Sequence, residues 1–107
     1  MSEIFFDEAL EDAKKLDTKL KEDGKPVGPL HGVPVSVKDH YNVKGQYTTA
    51  GYISYGVHAL KEEDAHIVEI LREAGAVLYV KTTNPQCMMV LETVSNIYGR
   101  TLNPWNT

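Results

Sequence analysis

The sequence has one cysteine, one tryptophan and two phenylalanines in 107 residues. A single cysteine excludes an internal disulfide and fits a reducing compartment. Long hydrophobic runs are missing: the longest, Ala76–Val80 and Cys87–Leu91, have five residues each, whereas a membrane-spanning helix needs roughly 20. The N-terminus, Met1 to Glu8, is acidic and lacks the apolar core of a secretory signal, so the expected location is cytoplasmic. Basic residues are the minority, 11 against 15 acidic ones, for a net charge of −4. No row of cations is available to neutralise phosphates, which excludes a general nucleic-acid partner. What is present is an ordinary composition for a small soluble globular piece, 42% hydrophobic and 24% charged.

Periodicity gives the organisation. Phe6, Ala9, Leu10, Ala13, Leu16 and Leu20 recur at three- and four-residue spacing between acids and lysines, which predicts an amphipathic helix over Ser2 to Lys21. Ser2 is its expected N-cap, and Gly24 with Pro26 its stop. After a glycine- and proline-rich loop, Val33 to Val37 alternates as a strand, its valines on one side and Pro34, Ser36 and Lys38 on the other. Pro34 belongs near that strand's start or at an edge. Asp39 to Lys61 reads as turns and short extended pieces punctuated by Gly45, Gly51 and Gly56. Asp64 is the expected cap of a second helix over Ala65 to Ala74, with a stripe of Ile67, Val68, Ile70, Leu71 and Ala74 and a stop at Gly75. Ala76–Val80 is apolar without alternation, as in a parallel strand covered on both faces. Thr83 to Val94 reads as a short helix after Pro85, and Asn96 to Thr107 as loop.

Strand, helix and strand in that order make a βαβ unit. Two parallel strands need more cover than this chain supplies, and a two-stranded sheet is marginal. The expected architecture is therefore α/β: an N-terminal helix plus a βαβ unit of a larger mixed sheet, with the C-terminal side missing.

Lys38 ends the first strand and precedes Asp39. The ordinary reading is a lysine that reaches water or pairs with Asp39. The chemical reading is a lysine held partly out of water, so that its neutral amine acts as a base. Spacing alone does not choose between them, but the surrounding residues do. Gly28-Pro-Leu-His-Gly-Val-Pro-Val-Ser-Val-Lys-Asp39 closely resembles the segment that carries the catalytic lysine of the amidase signature family. Lys44-Gly45, Thr48-Thr49-Ala50-Gly51, Asp64-Ala65, Glu73-Ala-Gly-Ala-Val77, Lys81-Thr82 and Asn103-Pro-Trp-Asn106 follow in the family's order and approximate spacing. The stretch Glu92 to Pro104 looks most like the fungal acetamidase-type branch, and Thr83 to Met88 is also similar to the fatty acid amide hydrolase branch. So many ordered blocks are more specific than a lone motif.

The resemblance implies residues 1–27 as an N-terminal helix and linker, and 28–107 as the incomplete N-terminal portion of an amidase domain. It implies hydrolysis of carbon–nitrogen bonds in small-molecule amides by a Ser–Ser–Lys triad, with Lys38 as general base and Met88 as a border of the acyl pocket. Such enzymes use an activated nucleophile beside a base, with backbone amides stabilising the oxyanion. Both serines belong to a Gly-Gly-Ser-Ser-Gly-Gly run and its extension, which in the family begins a few residues after the equivalent of Trp105. The serines of this chain are Ser2, Ser36, Ser54 and Ser95, none in glycine-rich surroundings. The expectation is that this chain alone is inactive. The alternative is a non-catalytic remnant or binding protein that uses an exposed sheet edge, and a homo-oligomer is compatible with either.

The other chemistry-bearing residues point less far. Cys87 as a thiol nucleophile needs an activating neighbour and otherwise reads as a small buried hydrophobe. His31, His40, His58 and His66 show no metal-ligand spacing, and His31 reads as a turn residue. No cofactor and no metal are expected. Ser36 shares a strand face with Lys38 and reads first as a packed strand serine, and Met88 reads first as a core methionine.

Overall fold

The computed structural model describes residues 1–56 and 60–106. The fold is built around one strand. β3 (Val77–Thr82) is buried along most of its length and lies in the middle of a three-stranded sheet of order β1-β3-β2. β2 (Pro34–Lys38) pairs with it in parallel, and the two-residue β1 (Glu3–Ile4) pairs antiparallel on the other side. The sheet is therefore mixed, as expected, but has a third strand. The connection from β2 to β3 contains α2 (Ile53–Gly56) and α3 (His66–Glu73), which gives the expected strand–helix–strand unit. Pro34 opens β2 on the sheet's edge, where its missing N–H costs no ladder bond.

β1 corrects the reading of the N-terminus. Ser2 does not cap a helix. Its N–H donates to the Lys81 carbonyl at 2.9 Å, and Phe5 N–H donates to the Tyr79 carbonyl at 3.1 Å. The β2–β3 register slips between Val35 and Ser36, from Val35↔Leu78 to Ser36↔Val80. Tyr79 is thus passed over by β2. The helix α1 (Phe6–Asp23) begins only after this strand, with Phe5 at its N-cap and no side-chain cap. Asp7 and Glu8 in its first turn suit the positive end of the helix dipole. Gly24 ends it in the left-handed conformation, its N–H bonded to the Leu20 carbonyl, as expected. Of the expected apolar stripe, Ala9 is buried, whereas Phe6, Leu10 and Leu20 are exposed.

The core is Phe5, Val37, Val43, Val68 and Leu78, with Val35, Ala65 and Leu71 packed against it. It sits between the sheet and α3. Asp64 does not cap α3: the N-cap is Ala65, without a side-chain bond. The Asp64 carboxylate is engaged elsewhere, accepting from Lys44 N–H at 2.6 Å and from Arg72 Nε at 2.9 Å. Arg72 also reaches Asp12 of α1 at 3.2 Å, tying the two helices together.

Beyond β3 two expectations fail. The helix over Thr83 to Val94 is a single 3₁₀ turn at Gln86–Met88, interrupted by positive φ at Cys87 and Met88. The expected loop from Asn96 contains a hairpin strand, since β4 (Val94–Ser95) pairs with β5 (Gly99–Arg100). Ser95 Oγ accepts from Tyr98 N–H at 3.1 Å across its turn, and Gly99 supplies the positive φ the turn requires. After it, Asn103 accepts from Trp105 N–H in a local turn.

Candidate active site

Strand alternation sets the site's geometry. At the end of β2, Val37 points inward, Lys38 outward and Asp39 inward again. Lys38 is exposed rather than partly dry, and its Nζ makes no hydrogen bond with a described side chain. It does not pair with Asp39 either, because Asp39 has another partner. Lys81, one strand away, is 0% exposed, and its Nζ lies 3.2 Å from Oδ1 of an equally buried Asp39.

This buried pair is the centre of a polar cluster. Lys81 Nζ donates to the Tyr47 carbonyl at 2.6 Å and to Thr48 Oγ1 at 2.8 Å. The Thr49 hydroxyl donates to Asp39 Oδ2 in a short bond and accepts from Gly51 N–H at 3.2 Å. Asp39 N–H donates to the Thr82 carbonyl at 2.9 Å, and the Asp39 carbonyl accepts from Ala50 N–H at 3.3 Å. The motif residues Asp39, Thr48, Thr49, Gly51 and Lys81 are therefore one constellation. Its electrostatics follow from burial. Desolvation pulls the Lys81 ammonium below the usual lysine value, and the Asp39 charge and hydrogen bond oppose it. Burial pushes Glu3 up, with the Lys81 charge opposing. Burial also raises the Tyr98 phenol, with the Thr49 hydroxyl opposing. His40 is lowered, first by burial and then by the Lys38 charge; its Nδ1 is buried without a partner, and its ring lies 4.1 Å from that of Tyr41.

The turn after Thr49 links this cluster to the segment holding Met88. Ala50 and Gly51 both have positive φ, and a Cβ on Gly51 would lie 2.9 Å from Gln86 Cα. Only a glycine permits that approach. Tyr52 then meets Cys87, its hydroxyl 2.7 Å from Sγ. Cys87 is exposed rather than buried, and its neighbour is a phenol rather than an imidazole, which removes the support for a thiol nucleophile. Met88 is also partly exposed rather than a core residue. Ser36 is exposed on the same side of β2 as Lys38 rather than packed. His31 is a turn residue, its Nδ1 accepting from Val27 N–H at 3.1 Å. His58 lies outside the described residues, and among those described no cluster of His, Cys, Asp or Glu suits a metal ion. Among them, too, no helix is long and apolar enough to cross a membrane.

In the sequence Lys81 stands only as part of the Lys81-Thr82 block, and the motif by itself says nothing of its burial. The signal was available: a lysine that directly extends the continuous apolar run Ala76–Val80 must enter the same covered layer or break the strand.

A mixed sheet with a parallel βαβ unit and these ordered motif blocks define an α/β protein of the amidase signature type. The chain belongs to the amidase family, with residues 1–107 matching the family described as Amidase. It is 50% identical over 105 residues to an amidase of Gibberella moniliformis and 52% identical over 104 residues to an acetamidase of Emericella nidulans. These alignments cover 98% and 97% of this chain but 20% and 19% of those proteins. Among solved structures, it superposes on a fatty acid amide hydrolase with a TM-score of 0.90 at 43% identity, covering 97% of this chain and 18% of that one. The peptide amidase from Stenotrophomonas maltophilia matches with a TM-score of 0.78 at 33% identity, over 97% of this chain and 22% of that one. The chain thus spans about a fifth of the length of the curated relatives it matches.

Proposed function

We propose that this chain is the N-terminal portion of an enzyme that hydrolyses small-molecule amides, with Lys38 as the general base of a Ser–Ser–Lys triad. The observation that carries the reading is the family match over the whole chain; in support of the base, Lys38 lies in the segment that resembles the family's lysine block and is exposed at the end of β2. In this reading residues 28–107 carry the base, and residues 1–27 supply the helix and linker in front of it. The Lys38 amine takes a proton from a bridging serine, which takes one from the nucleophilic serine. The nucleophile attacks the amide carbonyl, the amine leaves with a proton, and water releases the acid from the acyl-enzyme. Met88, partly exposed beyond the Gly51 contact, borders the acyl pocket. A chain of residues 1–107 holds no Gly-Gly-Ser-Ser-Gly-Gly run, so by itself it has a base and no nucleophile and is inactive. A reducing, cytoplasmic setting suits its exposed free thiol.

The test has two parts. Ammonia release from acetamide and from longer aliphatic amides is measured with residues 1–107 alone; the expected result is no turnover, and turnover abolished by Lys38→Ala would overturn the inactivity. The same residues are then fused ahead of the remaining four-fifths of the Emericella nidulans acetamidase. The fusion is expected to turn over and Lys38→Ala to lower kcat at least about a thousandfold, the scale of losing a base that activates a nucleophile. A fully active Lys38→Ala fusion would overturn the role of Lys38.

A further inference from the structure

We propose that Lys81 is a positioning residue for Lys38, acting through a buried clamp on Asp39. The inference rests on the reading of Lys38 as the base. The next residue along the chain, Asp39, is held by three hydrogen bonds and an ion pair, its Oδ1 having no hydrogen-bond partner of its own. Its N–H is bonded to Thr82, its carbonyl to Ala50, its Oδ2 to Thr49, and its Oδ1 faces the Lys81 ammonium. The Lys38 carbonyl is held as well, by Tyr41 N–H at 3.0 Å. The peptide unit that carries Lys38 out of the sheet is thus fixed on both sides.

Lys81 connects these contacts. Its ammonium donates to the Tyr47 carbonyl and Thr48 Oγ1 and forms an ion pair with Asp39 Oδ1, which together join the 47–49 loop to the end of β2. An ammonium group taken wholly out of water is an expensive way to fill space. Apolar side chains would pack this strand as well, and they do so at Val77, Leu78 and Val80. The charge therefore serves geometry rather than cohesion: it binds a carboxylate that an apolar residue would leave loose. Because β2 alternates, the clamp on Asp39 faces inward while Lys38 faces the opposite way, so the base is oriented without being touched.

The test uses residues 1–107 and amide hydrogen exchange read by NMR. Asp39→Asn with Lys81→Met removes both charges together and leaves an acceptor for the Thr49 hydroxyl, which avoids an unpaired buried ion. The amides of Asp39, Tyr41 and Ala50 are expected to exchange at least ten times faster. The Val77 amide, bonded to Val33 at the far end of the sheet, stays within a factor of two. The Asp39 N–H residual dipolar coupling should also leave the alignment shared by Val35 and Val37. Thr48→Val, which removes one acceptor of Lys81, gives the same pattern at smaller size. Equal protection at both ends would overturn the proposal. Uniform loss at both ends, or an unfolded double variant alongside an unchanged Thr48→Val, would make the pair merely structural and overturn it as well. None of these readouts depends on turnover, so an active Lys38→Ala fusion would remove the catalytic reading while leaving the clamp measurable.

Discussion

His40 is a built-in reporter of the residue proposed as base. Its imidazole is lowered from the usual 6.5, first by burial and then by the Lys38 charge. Below pH 6.5 the unfolded chain therefore takes up a proton that the folded chain resists. This contribution to stability is present above 6.5 and lost as pH falls through the folded value. Two outcomes are expected. The His40 ring protons titrate below 6.5 by NMR, and Lys38→Met moves that midpoint up without restoring it fully, because burial remains. A midpoint unchanged by Lys38→Met would mean that the two side chains do not sense each other. Lys81 gives a second prediction. Lys81→Met alone strands the Asp39 carboxylate and should cost about 3–5 kcal/mol in urea denaturation, clearly more than the double change with Asp39→Asn. The motif around Lys38 is legible at this scale, whereas the exposure of its side chain is not. The environment of Lys81 is not legible either, because a strand lysine is normally read as reaching water, and its partners Tyr47, Thr48 and Asp39 come from 33 to 42 positions earlier in the chain.

At the scale of elements, long periodic segments were legible and two-residue strands were not. α1, β2, α3 and β3 each carry enough turns or alternations to declare themselves. β1 was absorbed into the α1 reading because Phe5 and Phe6 are both apolar, so the helical stripe fits with or without them. What makes Glu3–Ile4 a strand is the open side of β3, a tertiary fact with no local signature. β4 and β5 escaped for the same reason, each being too short to show a period. Glycine stops read well, and they differ in a way that can be tested. Gly24 and Gly75 both have positive φ, but a Cβ at Gly24 meets open space whereas one at Gly75 would lie 2.8 Å from His31 Cα. Gly24→Ala should cost about 1 kcal/mol, the conformational penalty alone. Gly75→Ala should cost distinctly more, since backbone must also move. Urea melts of the two variants check the order, and equal losses would mean that the loop at His31 yields freely.

The whole molecule is larger than its length warrants. Its radius of gyration is 15.6 Å, whereas a compact domain of this length has about 13 Å. Its accessible surface is 7355 Å², roughly 1,400 Å² above the scaling for a folded monomer of its mass. The excess is partly apolar: Met89, Val90, Leu91, Leu102 and Trp105 stand exposed after β3, and Phe6 and Leu10 on α1. In the reading proposed above, a portion of an enzyme about five times as long, the rest of the domain would cover these side chains. An excess of this size is above the roughly 800 Å² that one partner contributes to a standard stable interface. Isolated chains should therefore associate. In sedimentation equilibrium the weight-average mass is expected to rise above the 11.9 kDa monomer as concentration increases through the micromolar range. Met89→Glu with Leu91→Glu should return it toward the monomer. Both side chains are exposed and outside the core cluster, so the melting of the chain should change by no more than about 0.5 kcal/mol. A strict monomer at every concentration would show that the apolar segment folds over itself in solution. Association that survives both charges would instead assign it to the open edge of β2.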